Sequence, residues 1–227
     1  MKNVCVITGG GSGMGLAAAK YMPKEKRIIL SGRTVKKLEH AVAELEELGY
    51  EAYAHACDTS DRASVHDVSS NSAYVLPKFL ISKKTYLLAE TDEEQFLKKL
   101  LKKSNLPKGE YERAGFAYAM SKNFVVWYAA KCAFDYGKKG IRVVSLSPGL
   151  IATDMGNLEA KEGGDLIHYA AEERMGTPEE LGFAIATAAD ERNGYLAGVD
   201  ILCDGGSTNG KKEFKRMMPN APRCQRM

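Results

Sequence analysis

No stretch of this 227-residue chain approaches the roughly 20 consecutive apolar residues that a membrane-crossing helix needs. Nor does the long apolar core of a signal peptide precede the first strand-like segment, so the expected location is cytoplasmic, away from membranes. Cysteine is sparse: Cys5, Cys57, Cys132, Cys203 and Cys224 are scattered, odd in number and without paired metal-ligand spacing. That excludes a disulfide framework and a zinc site, and predicts free thiols in a reducing compartment. Cys5, Cys57 and Cys203 lie in apolar runs, where a buried thiol acts as a small hydrophobe. A dominant charge is also lacking, with 32 Lys and Arg against 29 Asp and Glu. The surplus sits in residues 211–227, which hold six basic residues and one acidic; such a basic tail reads as a solvated end, and no nucleic acid is expected. Internal repeats and low-complexity linkers are absent. The length suits one α/β domain, over residues 1–210 and followed by the tail, and the composition, 44% hydrophobic, can support a sizeable core.

Strand and helix patterns alternate at both ends. NVCVITGG, RIILSGR, YEAYAHACD, IRVVSLSPG and DILCDGG read as strands. MGLAAAKYM, TVKKLEHAVAELEELG, SKNFVVWYAAKCAFDYGKKG and TPEELGFAIATAADE read as helices. This order argues for a parallel sheet covered by helices on both faces. In the middle, ETDEEQFLKKLLKKS places Phe96, Leu97, Leu100 and Leu101 at helical spacing. It reads as a surface helix packing one apolar stripe, with membrane contact through its lysines as the alternative.

Thr8-Gly9-Gly10-Gly11-Ser12-Gly13-Met14-Gly15 closes the first strand and opens the first helix. A glycine-rich turn in that context lets backbone approach a pyrophosphate, and the helix N-terminus offers unpaired N–H groups and positive potential. The spacing T-G-x-x-x-G-x-G resembles the fingerprint of the short-chain dehydrogenase/reductases. The resemblance continues through CDTSD, Tyr118-Ala-Met-Ser-Lys122, SPGLIATDM, RMGTPEE and DGG, covering residues 1–67 and 115–207. It implies a Rossmann-like doubly wound parallel sheet in an oxidoreductase that moves hydride between a nicotinamide cofactor and a secondary alcohol or ketone. Thr8, Gly9, Gly11, Ser12, Gly13, Met14 and Gly15 would then bind the cofactor.

The second strand ends Ser31-Gly32-Arg33. NAD-binding folds usually place a carboxylate there for the ribose hydroxyls. Gly32 offers none, and the Arg33 guanidinium can pair with a 2′-phosphate bidentately. NADP(H) is thus favoured over NAD(H), although Arg33 also suits a solvated loop. The resemblance gives Asp58 the adenine, and Pro148, Gly149 and Thr153 the nicotinamide side; a turn and helix caps are the structural alternatives.

Tyr118 and Lys122 are four apart and share a helix face. In the family's terms Tyr118 is the general acid/base. A phenol ordinarily titrates near 10, and a neighbouring ammonium favours its ionised form while holding the nicotinamide ribose. The family's serine, about a dozen residues before the tyrosine, has no counterpart at that spacing. Val68-Ser69-Ser70-Asn71-Ser72-Ala73 is the better local match, making Ser70 the candidate and residues 74–113 an insertion; a serine-rich turn is the alternative.

The family's N-N-A-G segment and the helix after it are missing. Residues 59–67 are too few for a helix, a strand and a second helix, which need on the order of 40. The expectation is a sheet without its usual fourth strand, through a deletion near Asp67–Val68 or a centre rebuilt by residues 68–114. Asn71 does not inherit the missing asparagine's role. A catalytically defective dinucleotide-binding or regulatory module is the rival reading. Tyr74, Val75, Leu76, Phe79, Leu80 and Ile81 would suit a hydrophobic ketone or steroid substrate, or equally ordinary core packing. A homo-oligomer fits the family, although one customary interface helix is absent.

Overall fold

The computed structural model describes residues 4–56, 70–76, 82–162 and 164–210. Among these, the strands are β1 (Val4–Thr8), β2 (Arg27–Gly32), β3 (Glu51–Ala56), β4 (Ser145–Pro148) and β5 (Asp200–Cys203). The helices are α1 (Gly13–Lys20), α2 (Val35–Glu47), α3 (Lys83–Thr91), α4 (Glu93–Ser104), α5 (Glu110–Gly137), α6 (Asp154–Glu162) and α7 (Pro178–Ala189). They fall into two compact units, one of residues 1–67, 149–195 and 205–227, the other of 68–148 and 196–204.

In the first unit β1, β2 and β3 form a parallel sheet in that order, with Thr8 level with Ser31 and Ser31 level with His55. Leu38, Ala41 and Leu45 make one stripe of α2, and all three are buried against Ile28 and Leu30 of β2. Ala19 and Ala186 complete this core from α1 and α7. Helices α1 and α7 approach closely because Gly182 has no side chain: a Cβ there would lie 2.6 Å from the Ala17 carbonyl carbon. Among the described residues β1 pairs only with β2 and is a sheet edge, with Val4 52% and Val6 61% exposed.

The second unit pairs β4 with β5, again in parallel, and packs them with α5 and a 3-10 turn at Asn71–Tyr74. The Ser145 hydroxyl donates to Asp200 at 2.5 Å, and the Tyr74 hydroxyl donates to its other oxygen at 2.6 Å. Burial and the Asp200 carboxylate push the Tyr74 phenol well above its usual range. The central helix expected from periodicity is α4, whose Phe96 turns inward. Phe96, Tyr86 of α3, and Phe124, Trp127 and Tyr128 of α5 form one aromatic cluster with centroids 5.2–6.4 Å apart.

Several expectations need amendment. The strand read over IRVVSLSPG is confined to Ser145–Pro148, the only part that pairs with β5. Cys5 and Cys203 are half-buried rather than fully enclosed, and burial pushes the Cys5 thiol upward. Helix α3 has no counterpart in the sequence reading. The helix bearing Tyr118 starts at Glu110, inside the stretch taken as an insertion. Residues 74–76 form no strand that could rebuild the sheet centre. Cys57, Asp58, Asp67–Val68, Phe79 to Ile81, and the basic tail with Cys224 lie outside the described residues.

Candidate active site

The glycine loop joins β1 to α1 through left-handed backbone at Gly9 (φ 67°) and Gly13 (φ 57°), which a side chain would strain. Gly10 donates its N–H to the Ser31 carbonyl, tying the loop to β2. At Gly15 a Cβ would stand 2.6 Å from the Gly9 carbonyl oxygen, so the first turn of α1 can lie on the loop backbone only with glycine there. Ser12 precedes α1 without a side-chain cap, so its hydroxyl does not occupy the helix's leading amides. Thr8 and Met14 flank the same turn. These features fit a pyrophosphate-bearing dinucleotide: leading helix amides not capped by Ser12, close backbone approach and no Cβ in the way.

Thr153 belongs to the same unit. Its methyl group is 3.7 Å from the position of a Cβ on Gly13, and its hydroxyl accepts the Gly156 N–H at 3.2 Å, capping α6. The cap and the proximity to the loop coexist. The preceding residues are fixed by RMGTPEE: Ala152 donates to the Gly176 carbonyl at 2.8 Å, and Gly176 to the Leu150 carbonyl at 3.0 Å. Arg174 holds Glu180 through two hydrogen bonds of 2.9 and 2.8 Å. Glu180 in turn accepts the Thr177 N–H and completes a capping box at α7. The Arg174 guanidinium, followed by the Thr177 N–H, holds the Glu180 carboxyl down at about 2.

Arg33 is exposed at the end of β2, and among the described residues nothing hydrogen-bonds or ion-pairs with its guanidinium. Leu38 packs beneath this corner, 3.4 Å from a Cβ position on Gly11 and 3.5 Å from one on Gly32.

In the second unit Tyr118 and Lys122 lie side by side on α5, the Lys122 ammonium 5.5 Å from the ring centroid. Tyr118 is substantially exposed, as an acid/base group must be to meet a substrate. Ser70 has extended backbone (φ −151°, ψ 151°), and its hydroxyl accepts the Ser72 N–H at 3.2 Å. The turn after it packs on α5, and Leu76 just beyond it is buried against Ala119 and Met120, the two residues that follow Tyr118. Ser70, Tyr118 and Lys122 thus share one compact unit, and Pro148 ends β4 in that unit. Sequence reasoning missed Asn123, whose side chain donates to the Ala73 carbonyl at 2.9 Å and accepts the Tyr86 hydroxyl at 2.9 Å. The available signal was an asparagine in the middle of a helix, where its propensity is poor. Among the described residues no cluster of His, Cys, Asp or Glu could hold a metal ion, and no helix is long and apolar enough to cross a membrane.

The model of the short chain dehydrogenase family matches residues 3–77, and a second, described as enoyl-(acyl carrier protein) reductase, matches residues 107–208. Between them lie α3 and α4. Sorbose reductase of Schizosaccharomyces pombe is 27% identical over 240 aligned positions, covering 88% of this chain and 94% of that protein. Meso-2,3-butanediol dehydrogenase of Serratia marcescens is 28% identical over 237 positions, covering 90% and 94%. Both alignments are longer than the 227-residue chain, so these relatives hold positions with no counterpart here. Among solved structures, a variant of actinorhodin polyketide ketoreductase with NADPH has the same fold, with a TM-score of 0.65 at 18% identity over 92% of this chain and 98% of that one.

Proposed function

Since the chain belongs to the short-chain dehydrogenase/reductase family, we propose that it is an NADP(H)-dependent oxidoreductase that exchanges hydride between the cofactor and a secondary alcohol or ketone. The observation that carries this reading is the Tyr118–Lys122 pair on α5. The dinucleotide supplies or accepts the hydride, and the proton is left to the protein. Tyr118 gives its hydroxyl proton to the carbonyl oxygen during reduction and recovers one from the alcohol during oxidation. Lys122 stabilises the phenolate that this leaves. Ser70 donates a hydrogen bond to the substrate oxygen, where negative charge develops.

For the cofactor, Thr8, Gly9 and the residues from Gly11 to Gly15 hold the pyrophosphate, and Thr153 with Pro148 and Gly149 addresses the nicotinamide. Asp58 addresses the adenine, and Arg33 the 2′-phosphate. The exposed Arg33 beside Gly32, and NADPH in the structurally similar ketoreductase, support NADP(H) over NAD(H). The named activities of the relatives support a small alcohol or ketone as substrate partner.

A second reading, a dinucleotide-binding module that no longer catalyses, is favoured by the half-exposed edge strand β1. One experiment separates the two. NADPH oxidation at 340 nm is followed with a panel of ketones, for the protein and for Tyr118→Phe. The enzyme reading expects turnover that falls by about 10²–10⁴ in the variant while NADPH affinity is kept. NADPH binding without turnover of any ketone would establish the second reading. A variant as active as the parent would remove Tyr118 from the chemistry.

A further inference from the structure

Asn123 joins three segments that sequence spacing keeps far apart. The Ala73 carbonyl can only accept a hydrogen bond, so the Asn123 group facing it at 2.9 Å is the amide NH₂. The amide oxygen is then the group that faces Tyr86, and the Tyr86 hydroxyl must be the donor across that 2.9 Å contact. Both partners are buried, Ala73 at 2% exposure and Tyr86 at 3%, so water does not replace either bond cheaply. Tyr86 is locked further by the rings of Phe124 and Trp127, at 5.3 and 5.4 Å. Burial pushes its phenol up to about 12, which keeps it a donor throughout the neutral range. The other end of the chain of contacts is the Ser70 turn: Ala73 donates its own N–H to the Ser70 carbonyl at 2.9 Å. Asn123 is the residue after Lys122, and one turn of α5 separates it from Ala119, which packs on the same 71–76 segment.

We propose that Asn123 is the positioning residue for Ser70: it clamps the serine's turn onto the helix of Tyr118 and Lys122 and is itself oriented by Tyr86, so that α3 forms part of the catalytic apparatus. This rests on the reading of Ser70, Tyr118 and Lys122 given above. Asn123 touches no reacting atom. Its contribution is to hold the Ser70 hydroxyl where a substrate oxygen can meet it, and a misplacement on the order of 1 Å costs about 10²-fold in rate.

The test is a double-mutant cycle on ketone reduction by the full-length protein. Ser70→Ala should lower kcat by about 10²–10³, the loss seen when one oxyanion-type donor is removed. Asn123→Ala should lower kcat by about tenfold or more with KM and NADPH affinity little changed. In the Ser70→Ala background, Asn123→Ala should add almost nothing, because the group it positions is gone. Tyr86→Phe keeps the ring packing and should give a smaller loss of the same kind, which covers the case of an Asn123→Ala protein that folds poorly. Hydrogen exchange of the 70–76 peptide should accelerate in Asn123→Ala and Tyr86→Phe but not in a Lys98→Ala control. Additive losses from Ser70→Ala and Asn123→Ala would show a general structural role and overturn the proposal. So would wild-type kcat in Asn123→Ala. Wild-type kcat in Ser70→Ala would remove the reading of Ser70 and the proposal with it, whereas an impaired Ser70→Ala beside a normal Asn123→Ala would sink the proposal alone.

Discussion

Gly182→Ala sets helix propensity against packing, and the two predict opposite signs. Gly182 is interior to α7, where alanine is worth about 1 kcal/mol over glycine by propensity alone. The geometry opposes that gain. An added Cβ would stand 2.6 Å from the Ala17 carbonyl carbon, 2.8 Å from its oxygen and 2.8 Å from the Ala18 nitrogen. Those distances fall roughly 1 Å inside an ordinary carbon contact of about 3.5–4.0 Å. All three atoms are backbone of α1, so no rotamer change relieves the clash and one helix must shift. Overpacking of this kind costs about 1–3 kcal/mol, and the backbone partners argue for the upper end. The expected net effect is a destabilisation of about 2 kcal/mol. Gly115 is the control: it is interior to α5, exposed, with nothing within 4 Å of an added Cβ, and its alanine variant should gain about 0.5–1 kcal/mol. Urea unfolding followed by far-ultraviolet circular dichroism measures both. The single tryptophan, Trp127, lies in the other unit, so its fluorescence midpoint shows whether the two units unfold together. A Gly182→Ala protein at least as stable as its parent would refute the close α1–α7 contact.

Arg33→Ala should weaken NADPH more than NADH, by about tenfold or more for a charge-assisted contact worth about 1.5–3 kcal/mol; equal losses measured by fluorescence titration would release Arg33 from that role. Ser147→Ala should be neutral or stabilise by up to about 1 kcal/mol, because the Ser147 hydroxyl is fully buried and has no hydrogen-bond partner among the described residues. A clear loss of stability in urea would mean that this hydroxyl is bonded. Tyr86, held neutral by burial to about pH 12, stabilises the fold fully below the unfolded phenol's value near 10, and that stability is lost as the pH rises from about 10 through 12. Its absorbance at 295 nm, taken as the difference from Tyr86→Phe, should therefore rise later than that of a free tyrosine, and a step near 10 would contradict its burial.

The elements legible in the sequence are those whose signal is local. A glycine loop between an apolar strand and a helix can be read from eight consecutive residues, and the left-handed Gly9 and Gly13 show why glycine stands there. Tyr118 and Lys122 declare themselves by a four-residue spacing that the helix turns into adjacency. Leu38, Ala41 and Leu45 give α2 its stripe. The features that escaped depend on distant partners. Helix α3 buries only Thr85 and Tyr86, too few to mark a periodic face. Gly182 matters because of Ala17, and Asn123 because of Ala73 and Tyr86, none of which its neighbours in sequence disclose. The short β4 is likewise set by where β5 begins and ends. Thr153 offered a cap or a cofactor contact as alternatives, and its geometry serves the first while leaving the second open beside Gly13.

The sequence of β1 and its position disagree, and the disagreement bears on function. VCVIT lacks the polar alternation of a half-solvated strand and reads as an interior strand of a parallel sheet, apolar toward both faces. Edge strands are usually guarded by charge, proline or a bulge, and β1 has no charge and no proline. Its sequence therefore suits a sheet with one more strand, which agrees with relatives whose alignments outrun this chain. What shapes each half of the machinery lies elsewhere. The glycine loop is braced by Ser31, Leu38 and α1, which α7 holds through Gly182, all within the first unit. The Tyr118–Lys122 helix and the Ser70 turn are braced by Asn123, Tyr86 and the aromatic cluster, all within the second. Absence of a further strand beside β1 would thus remove a sheet partner while leaving these braces intact. On the reading proposed above, dinucleotide binding would draw on the first set and proton transfer on the second, which makes turnover, more than cofactor affinity, the measurement that discriminates an enzyme from a binding module.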